Sequence, residues 1–509
     1  MILGARVRAA WAALRGKTPR RRSGMRNTAA FPAADLGRLS ANWTTDPGAI
    51  NRWLRYELRT LRARSRSLAR GDSYGKKFID SCVTNIAGAS PFILQAKVKF
   101  GATGLPNATA NTAIETAWLD RCKPGNVEVT GRLGMKEFHR LVVRCIARDG
   151  EALIRIQEPK QRGEHMRLQI VDVDRLDEDM NRNLPNGAIK MGVEMDDVGR
   201  PVAYHILKQH PGEVGEWRRG GQSVREYERV PADQMRHLFV PDWPEQVRGI
   251  PWMHAAMVRL YHLGGFEEAA VINARIGASK IATIETPDGD VPESMVTGAE
   301  SEGNMLTDVD PGQYWTLPAG TKLGGFNPTF PDAAVEPFIR SCLRGVSAGM
   351  GMAYHSLAND PSQVNYSTAR VALLEERDHW MTIQEWYVEH FCQPDFEDWL
   401  RSEITQGTIA TSYWAHRSQV RWQPKRWQWV DPEKDASAKQ LMLEMRLTSR
   451  SRILAELGED SEEVFHEIAQ DEQLADSLGI ELEPAQQGTA PSGRPANEES
   501  PADAGSTAE

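Results

Sequence analysis

From Ser367 to Arg401 the chain carries Leu373, Trp380, Ile383, Tyr387 and Phe391 at helical spacing, and Trp399 continues the apolar side. This predicts one long helix whose apolar face needs a partner. The patterns before it say what kind of fold supplies that partner. Gly351 to Tyr366 is rich in Gly, Asn, Asp, Pro and Ser and predicts a flexible loop. Asp332 to Met350 predicts another helix. Pro251 opens a helix-like run to about Ser279, since proline is well placed at a first helical position. Gly264 and Gly265 weaken that helix or mark a kink in it. Between the two helices, Ile281 to Phe326 reads as a short β insert, with turns at Pro287-Asp288-Gly289, Pro311-Gly312 and Pro318-Ala319-Gly320.

The N-terminal half is mixed. Asn51 to Arg70 predicts a helix with Arg52, Arg55, Arg59, Arg62, Arg66 and Arg70 on one stripe and Leu54, Leu58, Leu61 and Leu68 on another face. The expectation for the stripe is solvent; the alternative is an acidic neighbour or DNA. From Phe92 to Phe239 the pattern is β-rich, with strands at Glu151–Ile156, Arg167–Val171 and Val202–Leu207 and one or two helices, such as Lys136–Arg148. Turns fall at Asp149-Gly150, Asn186-Gly187 and Gly199-Arg200-Pro201. Asp172, Asp174, Asp177 and Asp179 form an acidic cluster. Its expected state is a solvated turn, since it lacks the glycine and distal glutamate of a calcium loop. Glu194, Asp196 and Asp197 are read the same way. Trp414, Trp422, Trp427 and Trp429 are expected to be core of a C-terminal unit, with base stacking as the alternative. A last helical block runs from Asp431 to about Leu478.

Composition removes several classes of function. With 509 residues, 26% charged and 40% hydrophobic, the chain has the make-up of a globular protein with a sizeable core. A net charge of −8 argues against a surface that grips nucleic acid all over. Cys82, Cys122, Cys145, Cys342 and Cys392 are scattered and imply neither a zinc site nor a disulfide framework. They suit a reducing cytoplasm. No apolar run approaches a membrane span of about 20 residues. The seven Arg or Lys within residues 1–25 suggest a disordered arm, and the Ala, Pro, Gly, Ser and Glu after Pro484 a disordered tail. There is no G-x-x-x-x-G-K-[ST] for an ATP motor and no G-x-S-x-G elbow. Gly349-Met350-Gly351 lacks the strand and helix that a phosphate loop needs, and His254 and His262 lack a third ligand. No catalytic residue, metal site or cofactor is expected.

The order of these segments resembles the portal proteins of tailed bacteriophages, the lambda-type family in particular. The residues that carry the likeness are Arg148-Asp-Gly-Glu-Ala-Leu-Ile-Arg, Gln169-Ile-Val-Asp-Val-Asp-Arg-Leu-Asp, Gly199-Arg-Pro-Val-Ala-Tyr-His and Gln246-Val-Arg-Gly-Ile-Pro-Trp. Asn365-Tyr-Ser-Thr-Ala-Arg, Trp429-Val-Asp-Pro-Glu-Lys and Leu447-Thr-Ser-Arg-Ser are the most specific, and the likeness spans roughly 40 to 475. It implies an α+β portal fold. A basic arm (1–30) precedes an N-terminal helix and wing (31–250), a stem helix (251–280), a clip (281–328), a second stem helix (329–351) and a tunnel loop (352–366). A long kinked helix and wing (367–430), a helical crown (431–480) and a tail (481–509) complete it.

The resemblance further implies a homo-oligomeric, dodecameric ring at the capsid vertex of the virion, assembled in the host cytoplasm. Double-stranded DNA would pass through it non-specifically. The terminase large subunit, a head-completion or connector protein, and the major capsid or scaffold protein would bind it, and no membrane would. Asn359, Asp360, Pro361, Ser362, Gln363 and Asn365 are the expected DNA-channel loop. Glu267, Glu268, Asp332 and Glu336 are the expected channel-facing stem residues, making a bore that repels more than it grips. Ser367 or Thr368 is expected to cap the long helix. The rival readings are a metal-dependent phage DNA-processing enzyme, with Asp172 and Asp174 at its site, or another minor capsid or adaptor protein.

Overall fold

The computed structural model describes residues 44–89, 92–99, 107–159, 161, 164–213, 226–278, 282–285, 322–325, 334–362, 365–427 and 432–480. Helix α1, Ile50–Gly71, buries Leu54 and Leu58. Asp72 ends it and caps α2, Ser73–Ile86, by accepting the Gly75 amide at 2.6 Å. Strand β1, Ile93–Ala96, and helix α3, Ala108–Arg121, follow. Helix α4, Met135–Asp149, buries Phe138, Val142, Val143 and Ile146 on one face. It stops at Gly150, whose φ of 89° is left-handed. A Cβ there would lie 2.3 Å from the Ile250 carbonyl carbon, so only glycine lets the two backbones cross.

Strands β2 (Ala152–Gln157) and β3 (Arg167–Val171) pair antiparallel. Strands β4 (Arg182–Leu184), β5 (Gly187–Lys190), β6 (Val193–Met195), β7 (Pro201–Leu207) and β8 (Tyr227–Pro231) make a five-stranded antiparallel meander. Strand β9, Met235–Leu238, returns to the other edge of β2. Leu54 and Leu58 of α1 share a core with Leu153, Val171, Tyr204 and Ile206, so this helix covers both sheets.

Helix α5 is Met257–Ala278. It starts later than Pro251, because residues 251–257 first make tight turns, His254 N to Pro251 O and Ala256 N to Met253 O. Gly264 and Gly265 do not interrupt it; both stand in open space. Strands β10 (Ala282–Glu285) and β11 (Lys322–Gly325) pair antiparallel, while the rest of the expected insert lies outside the described residues. Helix α6, Val335–Met350, ends at a left-handed Gly351. The segment expected to be all loop contains a short helix, α7, Tyr354–Ala358. Burial of Met352 and Leu357 among polar neighbours pulls it onto the core.

Helix α8, Tyr366–Tyr387, passes through a wider turn at Val388–Cys392 into α9, Gln393–Gln406. Pro394 accounts for the wide turn: it donates no amide, and its ring displaces the carbonyl one turn back. Strand β12, Val420–Gln423, pairs with β1. Helices α10 (Pro432–Glu444), α11 (Arg450–Leu457) and α12 (Ser461–Leu478) complete the chain. Trp118 meets the rings of Phe396, Trp399 and Trp422 edge-on at 5.6, 5.1 and 5.7 Å. Trp414, Trp422 and Trp427 therefore belong to the main core rather than to a separate C-terminal unit, and Trp429 lies outside the described residues.

Candidate channel segment

Helices α5 and α6 pack beside each other, and α6 leads through Gly351 to α7, which packs against it. Phe266 packs edge-on against Phe338 at 5.0 Å, and Gly345 lies under the Arg259 guanidinium. On α6, Arg340 pairs with Glu336 at 2.6 Å, one turn away, and reaches Asp360 of the following segment at 3.6 Å. Arg344, one turn further, lies over the Tyr354 ring at 5.6 Å. The Tyr354 hydroxyl donates to Asp360 at 2.7 Å. Ser362 adds its hydroxyl and its amide, so the Asp360 carboxyl is held down at about 2, the Ser362 hydroxyl contributing most.

The expected site residues divide. Asn359 ends α7 with a left-handed φ of 52°, and Pro361 and Ser362 are exposed beside it. Gln363 and Asp332 lie outside the described residues. Asn365 caps the long helix, its side chain accepting the Thr368 amide at 2.8 Å, so the cap comes before Ser367 and Thr368 rather than from either. Glu268 is exposed, as is Glu336. Glu267 instead sits beside Tyr74 of α2; burial, then Asp72, raises its carboxyl above the usual range. The described parts of α5 and α6 carry Arg259, Arg275, Arg340 and Arg344 against Glu267, Glu268 and Glu336. Along the described parts of these two helices, arginines and glutamates are thus near balance. Sequence reasoning passed over Arg340 and Arg344, although their one-turn spacing after Glu336 was a readable signal.

Between α1 and the strands lies a buried ionic hub, and it corrects two expectations in part. Arg59, Arg62 and Arg66 of the α1 stripe meet the acidic cluster, while Arg52, Arg55 and Arg70 are exposed as expected. Arg59 reaches Glu178 at 3.4 Å and Asp179 at 3.1 Å. Arg62 reaches Glu151 at 3.0 Å, Asp174 at 3.1 Å, and Glu178. Arg66 spans Asp149, Asp172 and Asp174 at 2.7, 3.1 and 2.6 Å. Fully buried Glu151 also accepts from Arg248, from His237 Nε2 at 2.8 Å and from the Gly249 amide at 2.9 Å. Burial alone pushes its carboxyl up; Arg248 and then His237 outweigh that and hold it below the usual carboxylate range. Asp172, Asp174 and His210 bring ligand atoms within 4.8 Å of one another, the kind of group that suits a metal ion. Arg66 already supplies the cation between the two carboxylates.

Residues 36–384 match the family described as phage portal protein, lambda family. The chain belongs to that family. The probable portal protein of Halomonas phage phiHAP-1 is 30% identical over 461 residues, 89% of this portal chain and 88% of its own length. Portal protein B of Escherichia phage lambda is 21% identical over 313 residues, 54% of this chain and 56% of its own. A chain in the solved neck of a native GTA particle, computed with C12 symmetry, is 16% identical and aligns over 78% of this chain and 93% of its own, with a TM-score of 0.41. The fold of this portal chain is α+β, helices packed on small antiparallel sheets.

Proposed function

We propose that this portal chain builds a dodecameric ring at the capsid vertex, with α5, α6 and the segment 352–366 lining a channel for duplex DNA. Family membership over most of the chain carries the reading. The exposed apolar side chains of α5 and α6 support it. Tyr261, Val271, Ile272 and Phe338 are 72, 59, 49 and 50% exposed, and neighbouring subunits would cover such a surface. The near balance of arginine and glutamate on these helices also suits passage. A bore rich in arginine would hold DNA by counterion release, and a purely acidic one would resist its entry.

Residues 281–328 take the part of the clip, meeting the terminase large subunit during packaging and a head-completion connector afterwards. The wing and crown face neighbouring subunits, capsid or scaffold. The role is structural rather than catalytic, in a virion assembled in the host cytoplasm. Among the described residues no helix is long and apolar enough to cross a membrane. Electron microscopy of the purified chain tests the reading: rings with a bore that admits duplex DNA are expected. A monomer under all conditions, or a closed ring too narrow for DNA, overturns it.

The grouping of Asp172, Asp174 and His210 is the one observation favouring a metal-dependent nuclease. Cleavage of DNA with Mg²⁺ or Mn²⁺, abolished by Asp172→Ala and Asp174→Ala, would establish that activity against the structural reading.

A further inference from the structure

We infer that Glu376 is the positioning residue of the channel loop: from the long helix α8 it supplies the N-terminal cap that the loop's own helix α7 lacks. The inference rests on the reading that this loop faces the channel. Helix α7 has only five residues, and its N-cap, Ala353, has no capping side chain. So short a helix does not hold itself, because nucleation costs more than one turn returns. Glu376 Oε2 accepts the Ala353 amide at 3.2 Å and the Ser356 hydroxyl at 2.8 Å. Its Oε1 accepts the Trp380 indole N–H at 3.2 Å, which fixes the carboxylate's orientation. In a capping box the third helical residue is an acid that reaches back to the cap amide. Here that position is Ser356, and the acid arrives from α8. Glu376 is 9% exposed and Trp380 1%, so these are charge-assisted bonds shielded from water.

The loop's ties to α6, Asp360 with Arg340 and the Tyr354 ring under Arg344, are weaker. Asp360 faces Arg340 of α6 at 3.6 Å across a partly exposed surface, where salt screens the pair. A phosphate passing Arg340 offers the same kind of oxygen as Asp360 and competes with it. Residues 353–358 therefore stay with α8, while 359–362 let go of α6.

Amide hydrogen exchange on assembled rings of the full chain tests this. Glu376→Ala should speed exchange at Ser356–Ala358 by about tenfold or more, the change expected on losing charge-assisted bonds. Glu376→Gln, which keeps an acceptor, should recover part of the protection. Ser356→Ala, which leaves the core intact, should speed exchange by roughly threefold, the equivalent of one modest hydrogen bond. Asp360→Asn, which keeps an acceptor for the Tyr354 hydroxyl, should leave α7 unchanged and speed exchange only at 359–362. Unchanged exchange in Glu376→Ala, or equal loosening of α7 by Asp360→Asn, overturns the assignment. Should Glu376→Ala fail to form rings, the Ser356→Ala and Glu376→Gln results decide alone, and wild-type exchange in both overturns it. Retention of packaged DNA is the separate reading. Loosened exchange with unaltered retention keeps Glu376 as the cap and removes the loop from the channel.

Discussion

Replacing Glu151 with Gln should destabilise the sheets and α1 packed on them more than any exposed change, and for a reason specific to its surroundings. Among the described residues Glu151 is the one carboxylate paired with Arg248, whose remaining partners are the carbonyls of Val173, Leu176 and Met191. Glutamine keeps the shape and one acceptor oxygen but strands a fully buried guanidinium. Removing one partner of a buried pair costs about 3–5 kcal/mol; the three carbonyls place Arg248 near the lower end. At roughly 2–4 °C per kcal/mol for a unit of 150–250 residues, the first thermal transition should fall by about 6–12 °C. The assay is near-ultraviolet circular dichroism on heating, with Arg248→Met and the double variant alongside. The double variant should lose clearly less than the sum of the single ones, because its second change strands no charge.

The pH dependence has a definite sign. A carboxyl whose folded pKa lies below its ordinary 4.5 contributes stability that is full above 4.5 and lost as pH falls. Wild type should therefore lose this contribution in acid, and Glu151→Gln should not. A melting shift under about 2 °C, or strict additivity in the double variant, would refute the argument that buried charge governs the hub.

Three further outcomes are expected. Burial lowers His139 from 6.5 to about 3, so it stays neutral when folded; its contribution is present above 6.5 and fades as pH falls toward 3. Denaturation followed from pH 7 to 4 should show a slope of up to about 1.4 kcal/mol per pH unit that His139→Gln lacks. Asp395, raised to about 6 chiefly by burial, works in the opposite sense between 3.8 and 6, so the difference between wild type and variant is the quantity to read. Gly264→Ala and Gly265→Ala should each stabilise α5 by up to about 1 kcal/mol, whereas Gly150→Ala should prevent α4 and the Ile250 backbone from packing; circular dichroism melts separate the two classes. Asn365→Ala should cost about 1 kcal/mol at the start of α8 and loosen amides 367–369, while Thr368→Ala, whose side chain is not the cap, should do little by the same exchange measurement.

The elements that were legible owe it to local periodicity. Helix α4 shows its apolar face at three- and four-residue steps, and the turn residues at 186–187 and 199–201 stand at strand ends. The start of α5 was misplaced because residues 251–257 first make tight turns, His254 N to Pro251 O and Ala256 N to Met253 O. Helix α7 was missed because its cap comes from Glu376 and its anchors, Met352 and Leu357, are isolated apolar residues in a polar run. Asn365 was readable as a cap by residue type, but two hydroxyl residues just after it offered the same chemistry.

The arginine stripe shows where a sequence stops. Its spacing placed Arg59, Arg62 and Arg66 on one side of a helix, because helical geometry relates residues three and four apart. The acidic cluster was equally plain as a cluster. That the two neutralise each other is a tertiary fact: Arg66 and Asp174 are 108 residues apart, and nothing in the local pattern says which distant surface a charged face will meet. The same holds for the segment proposed to line the channel. Its helices, with the arginines and glutamates along them, follow from the sequence, and its family from the sequence as a whole, while the tie between Glu376 and α7 exists only once the chain has packed.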